Sequence, residues 1–386
     1  MAASSENQRP QGLGSAPLSV GPTPLGVGVI GCGNISEIYL KNLARFSVLR
    51  AVAVADLDPV RAEARARQFG MTARSVDDLL ASDDIDLVIN LTIPAAHAEI
   101  SQRALAAGKH VHTEKPLAIN RADGVRILAL AAEHGLRVGG APDTFLGAGG
   151  QTCRALVDNG AIGLPVAATA FMVGHGPEPW HPDPEFFYKP GGGPLLDMGP
   201  YYITTMVNLL GPVARVSAGA RASFAERVVG SGAKKGQRIS VETPTHITGT
   251  LEFESDAVAT LVTSFDVWHH RLPNLEIYGS EGSLAVPDPN SFGGPVLLRG
   301  REDKDWRSMP LTHGYSENAR GLGAADMAAG IRAGRPHRAS GALAGHVLDV
   351  MLSLLESAAS GRRVEITTPV ARPAALPPGL KDGEID

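Results

Sequence analysis

Three side-chain types able to share a proton lie in two segments far apart in the chain. Lys115 belongs to Thr113-Glu114-Lys115-Pro116, directly after the apolar run His110 to His112. Asp197 and Tyr201 belong to Gly191-Gly192-Gly193-Pro194-Leu195-Leu196-Asp197-Met198-Gly199-Pro200-Tyr201-Tyr202. Four residues apart, Asp197 and Tyr201 share one face of a helical turn. If His110 to His112 is a strand of a parallel sheet, Lys115 lies at its carboxyl edge, where ligands of such folds bind. The chemistry open to such a set is oxidation of a secondary alcohol: a base within hydrogen-bond reach takes the hydroxyl proton as hydride leaves. A free tyrosine, with a pKa of about 10, is a poor base at neutral pH, and a nearby lysine cation favours its phenolate. The same cation can stabilise alkoxide character. Taken singly, the residues have plainer readings, Lys115 as a surface lysine and Asp197 as a helix N-cap.

Hydride needs an acceptor. The run Gly26 to Ile30 leads directly into Gly31-Cys32-Gly33-Asn34-Ile35-Ser36, the dinucleotide fingerprint with serine in the third small position. Gly31 permits the tight turn, Gly33 lets backbone approach a pyrophosphate, and the helix that follows Asn34 and Ile35 points its first N–H groups at the phosphates. Asp56 ends the second strand, 20 residues after Ser36, where a carboxylate accepts from ribose hydroxyls and repels a 2′-phosphate. This predicts NAD over NADP; NADP stays open through Arg61, which lies close enough to turn toward a 2′-phosphate.

The elements that must position these residues are legible in the apolar pattern. Gly26 to Ile30, Ala51 to Ala55, Leu87 to Leu91, His110 to His112 and Leu136 to Gly139 read as buried strands. Ile35 to Arg45, Pro59 to Phe69, His97 to Ala107 and Arg121 to His134 read as the helices between them. The alternation predicts an α/β, doubly wound parallel sheet over residues 25–146. Residues 147–386 are expected to form a second, α+β domain with an open, mostly antiparallel sheet, for substrate binding and oligomerisation. Its strands are read at His246 to Glu254, Ala257 to Val267, Asn274 to Tyr278 and Gly282 to Val286, with a tight turn at Gly279 to Gly282. Ile203 to Leu210 looks helical, and Gly341 to Ser360 is an amphipathic helix stopped by Gly361. Residues 1–24, rich in Ser, Pro and Gly, read as a disordered tail lacking the apolar core of a signal peptide.

With the fingerprint, the Glu-Lys-Pro segment and the Asp-x-Gly-x-x motif in this order, the chain resembles the glucose-fructose oxidoreductase, inositol dehydrogenase and rhizopine catabolism (Gfo/Idh/MocA) family of NAD(P)-dependent dehydrogenases, over about Gly26 to Val364. The resemblance implies a sugar or polyol substrate and a homodimer or homotetramer. It places the family's catalytic lysine at Lys115 and its aspartate at Asp197. Tyr201 stands where many members have histidine. It also implies that Thr92, Pro94, His97 and Glu114 line the nicotinamide side of the cleft, although His97 reads equally as a capping or surface residue. His175 to Lys189 is dense in aromatics; Trp180 and His181 suit a loop over a sugar ring, or equally an interdomain contact. Asp143 is a further substrate-contact candidate. A sugar-sugar oxidoreductase with tightly held nucleotide, and a dinucleotide-binding regulator without catalysis, are the alternatives.

Bulk properties exclude other classes. The net charge is −5 with an isoelectric point near 6.2, so no positive field recruits nucleic acid. Two cysteines, Cys32 and Cys153, are too few for a disulfide framework and fit a reducing cytoplasm. No stretch is expected to approach the roughly 20 apolar residues of a membrane helix. The histidine pairs at 110/112 and 269/270 lack a third ligand, so no metal is expected.

Overall fold

The computed structural model describes residues 23–386; most of the expected N-terminal tail lies outside them. The first half runs β1 (Leu25–Ile30), α1 (Ser36–Leu43), β2 (Leu49–Ala55), α2 (Pro59–Phe69), β3 (Thr72–Ala73), α3 (Val76–Leu80), β4 (Leu87–Asn90), α4 (Pro94–Ala106), β5 (His110–Thr113), α5 (Arg121–Glu133) and β6 (Val138–Gly140). The strands form one parallel sheet in the order β3-β2-β1-β4-β5-β6. β1 and β4 are buried along their whole length, as central strands covered by helices on both faces must be. Helix starts follow local chemistry. Asp58 caps α2 by accepting from the Val60 and Arg61 N–H groups, Pro59 stands at its first position, and Gly70 closes it with φ 66°. The fourth helix begins at Pro94 rather than at His97, because Pro94 occupies its first turn.

The second half continues with α6 (Ala148–Asp158), β7 (Pro165–Val173), α7 (Gly193–Leu210), β8 (Val213–Arg221), β9 (Glu226–Val228), β10 (Arg238–Ser240), β11 (His246–Phe253), β12 (Val258–Ser264), β13 (Leu275–Gly279), β14 (Gly282–Val286), β15 (Val296–Gly300), β16 (Arg307–Met309), α8 (Leu322–Ala333), α9 (Gly341–Ser360) and β17 (Val364–Glu365). A nine-stranded sheet is ordered β16-β15-β14-β13-β7-β12-β11-β8-β17. It is antiparallel except where β7 runs parallel to β12, and β9 and β10 form a separate hairpin. α6, α7 and α9 pack against this sheet.

α9 requires a correction to the membrane reading. Its 20 residues contain a window of mean hydropathy 1.4, long and apolar enough for a span by length and composition. That surface is used inside the fold, where Leu343, Val347, Leu348, Met351 and Leu354 are buried and α9 packs on β8, α7, α5 and β6. The C-terminal helices thereby return to the first sheet. The Gly140 N–H donates to the Ala339 carbonyl at 3.1 Å, and Arg121 donates to Asp349 at 2.7 Å.

Candidate active site

A cavity of about 1040 Å³ opens along the carboxyl edge of the parallel sheet. One end is walled by Cys32, Gly33 and Asn34 with Arg61 and Arg65 of α2; the middle by Ile93, Pro94, Lys115 and Pro116; the far end by His181, Phe186, Phe187, Leu196 and Asp197. It therefore joins the fingerprint loop, the end of β5 and the first turn of α7. Gly193, in the left-handed region at φ 84°, starts α7. A Cβ there would lie 2.9 Å from the Pro244 carbonyl oxygen, so the turn that brings Asp197 to the wall needs glycine.

The structure brings the three proton-bearing residues together. The Lys115 ammonium donates to both the carbonyl and the Oδ1 of Asp197, each at 2.7 Å, and lies 5.3 Å from the centre of the Tyr201 ring. Burial opposes the Lys115 charge, but Asp197, Tyr201 and Glu114 outweigh it and hold the pKa above the usual lysine value. Lys115 is thus a fixed cation at neutral pH. Tyr201 differs from expectation. Burial raises its pKa more than Lys115 and Arg320 lower it, so it remains a phenol instead of becoming a phenolate. It is 6% exposed and stands behind Lys115. Arg320, which the sequence reading missed, bears on the Tyr201 hydroxyl and is held by Asn290 and Asn318 at 2.6 and 3.1 Å. It comes from an irregular segment with no period or motif to mark it.

The fingerprint loop fits a dinucleotide. A Cβ on Gly33 would meet nothing within 4 Å, so the backbone there faces open cavity. Ile35 begins α1 without a side-chain cap; the Ser36 N–H donates to the Gly33 carbonyl at 3.1 Å, and the N–H groups that follow in the first turn are left for an anion. Gly31 has φ 103°, and a Cβ on it would lie 2.5 Å from the Leu91 carbonyl; this glycine fits the turn against the end of β4 and does not line the cavity. Asp56 accepts from the Cys32 N–H at 2.7 Å and the Asp58 N–H at 2.9 Å, shaping the loop with lone pairs to spare for a ribose. Arg61 lies 3.8 Å from Asp56.

Several expected contacts are placed elsewhere. Asp143 is buried away from the cavity, where its Oδ2 accepts from the Gly321 and Gly323 N–H groups at 2.9 and 3.0 Å; it anchors the start of α8 rather than touching substrate. Trp180 is 67% exposed and packs edge-on against His181 and Phe187, off the cavity wall, whereas His181 is on it. His97 is neither a cap nor a surface residue. It is buried, with Nδ1 2.7 Å from the Pro116 carbonyl and Nε2 3.0 Å from the Thr92 carbonyl. Burial lowers its pKa; a neutral ring donates only once, and the shorter contact ties the Lys115–Pro116 turn to α4. Thr92 donates its hydroxyl to Asn90 at 2.7 Å. Glu114 accepts from the Tyr39 hydroxyl at 2.7 Å and the Lys115 N–H at 3.1 Å. Of this group Pro94 reaches the wall, Glu114 and His97 hold the backbone on either side of Lys115, and Thr92 fixes the loop after β4 through Asn90. Among the described residues no group of His, Cys, Asp and Glu is arranged to hold a metal.

Comparison with known proteins agrees with this architecture. Residues 25–140 match the model of the oxidoreductase family with NAD-binding Rossmann fold, and residues 151–285 match the GFO/IDH/MocA C-terminal domain. The chain is 35% identical to inositol 2-dehydrogenase of Ralstonia nicotianae over 149 residues, 37% of this chain and 44% of that enzyme. It is 32% identical to dTDP-3,4-didehydro-2,6-dideoxy-alpha-D-glucose 3-reductase of Streptomyces violaceoruber over 286 residues, 72% of this chain and 78% of that one. Apo levoglucosan dehydrogenase shares the fold with TM-score 0.78 at 22% identity, over 90% of this chain and all of that one. The chain belongs to the Gfo/Idh/MocA family of oxidoreductases with an NAD-binding Rossmann fold.

Proposed function

We propose that the protein transfers hydride between NAD and a ring carbon of a sugar or polyol, with Lys115 as the residue that meets the reacting oxygen. The observation that carries this reading is the Lys115–Asp197 pair, facing the cavity that the fingerprint loop also enters. A relative named for inositol supports a polyol substrate, and one named for a dTDP-linked didehydro-glucose supports a sugar-ring carbon as the reacting centre. Bound NAD would supply the hydride-accepting ring, and Gly33, Asn34 and the start of α1 would hold its pyrophosphate. Asp197 orients the Lys115 ammonium, whose third N–H donor is left to polarise a carbonyl or stabilise an alkoxide. Tyr201, kept as a phenol, is the proton store behind it, and Arg320 fixes its hydroxyl. His181, Phe186 and Phe187 cover the ring.

Both proton carriers are protonated at neutral pH, so the resting site is set for carbonyl reduction. Oxidation requires a proton to leave, and its kcat/KM should rise with pH into the alkaline range, whereas that of reduction, served by groups that stay protonated, should hold level until they titrate above about pH 10. The test is NADH formation and consumption, followed by absorbance, over a panel of cyclitols, aldoses and their keto forms from pH 6 to 10. A rising profile for oxidation and a flat one for reduction are expected over this range. Absence of NADH binding, or no hydride transfer with any member, would overturn the proposal.

A further inference from the structure

We infer that the substrate end of the cavity takes an uncharged polyol and discriminates against phosphorylated or nucleotide-linked sugars, because its lysines are already neutralised by the protein's own carboxylates. This rests on the sugar or polyol reading above and narrows it. A phosphate monoester brings a charge of about −1.5 to −2 and three acceptor oxygens, and sites that take one present unpaired lysine, arginine or N–H donors to it.

Here the lysines are committed. Lys115 is bonded to Asp197 at 2.7 Å. Lys189, on the wall beside the aromatic residues, lies 2.6 Å from Glu242 and 3.6 Å from Glu185. Lys234 reaches over from the turn after β9 and pairs with Asp183 at 2.7 Å. Three lysines thus meet four carboxylates, and Asp183, Glu185 and Asp197 are themselves on the wall. Arg320, the further cation near Tyr201, is directed to Tyr201, Asn290 and Asn318 and does not form part of the wall. An incoming phosphate would have to break a lysine pair, leaving a carboxylate facing an anion. Neutral hydroxyls meet no such conflict: carboxylates accept from them, Lys115 donates to them, and the Phe186 and Phe187 rings offer apolar faces to a sugar ring.

The test uses the full chain saturated with NADH or NAD. Binding is measured by calorimetry and turnover by absorbance for D-glucose, D-glucose 6-phosphate and dTDP-glucose, and for myo-inositol and myo-inositol 1-phosphate. At least one neutral member should bind and react, with its phosphorylated or nucleotide-linked counterpart at least about tenfold weaker. In the double variant Glu185→Gln/Glu242→Gln, which releases Lys189, the ratio of neutral to phosphorylated affinity should fall at least about tenfold. A charged member that binds as tightly as its neutral counterpart, or an unchanged ratio in the variant, overturns the inference while leaving the oxidoreductase reading in place. Silence from every pair in protein that still binds NADH overturns it as well. Failure to bind NADH, or hydride transfer that survives Lys115→Ala undiminished, strikes instead at the proposed function.

Discussion

Lys115 is charged in this site because Asp197 stands against it, and that assigns separable roles to neighbouring residues. Lys115→Ala should lower kcat by a factor of about 10² to 10⁴ while the NADH dissociation constant stays within about threefold. Asp197 contacts no part of the fingerprint loop, so Asp197→Asn should do the same to a smaller degree. Tyr201→Phe keeps the ring beside Lys115 but removes the proton. It should flatten the alkaline limb of the oxidation profile, and an unchanged limb would assign the proton to another group. His97 acts through the Lys115–Pro116 turn. His97→Ala should slow catalysis and also lower stability by about 1 to 3 kcal/mol for the donor and packing lost, whereas a variant that changes stability without touching kcat would confine His97 to packing.

At the level of elements, the start of α8 is fixed by a buried carboxylate. Burial raises the Asp143 pKa from 3.8 to about 6, although the Gly321 and Gly323 N–H groups oppose the shift. The folded state therefore holds this proton more tightly than the unfolded chain does. The contribution to stability is largest below pH 4, declines as pH rises from about 4 to 6, and is constant above that. A shift of about two units corresponds to about 3 kcal/mol. In Asp143→Asn one carbonyl oxygen can still accept both N–H groups and nothing ionises. Denaturant unfolding should show the variant gaining about 3 kcal/mol relative to wild type between pH 4 and pH 7; a pH-independent difference would discard this account.

Across the whole molecule the larger pH effect has the opposite sign. Burial lowers the pKa values of His110, His112 and His337 to about 4. All three lie where the C-terminal helices meet β5 and β6: His337 contacts the Val138 carbonyl, and a Cβ on Gly323 of α8 would meet His112 at 2.8 Å. A histidine with a depressed folded-state pKa contributes stability above pH 6.5 that is lost as pH falls toward 4. Three such protons taken up on unfolding, less the one that Asp143 releases, leave about two between pH 6 and 4, and His97, His175, His313 and His346, whose pKa values burial also lowers, add to them. Stability should then fall by at least about 3 kcal/mol per pH unit at the steepest, and calorimetry in buffers of different ionisation enthalpy should count at least about two protons. A flat stability curve over that window would refute the placement of these histidines.

The sequence by itself determined the parallel sheet, the fingerprint loop and the glycine-rich approach to α7, because each is written in local chemistry: apolar runs, a Gly-x-Gly turn, an Asp–Pro helix start. α9 was legible to its end residues for the same reason, with Ser340 capping its start and Gly361 its stop. What tertiary structure alone decided is how distant segments meet. Lys115 and Asp197 are 82 residues apart in sequence, and their bond depends on the start of α7 meeting the segment that follows β5. Asp143 and Trp180 carry side chains suited to a sugar site, yet packing turns one beneath α8 and leaves the other outside the wall. Arg320 arrives through a segment with no periodicity, and Tyr201 keeps its proton because burial outweighs the cations beside it. The desolvation that sets such charge states is a property of the closed fold and has no signature in residue spacing.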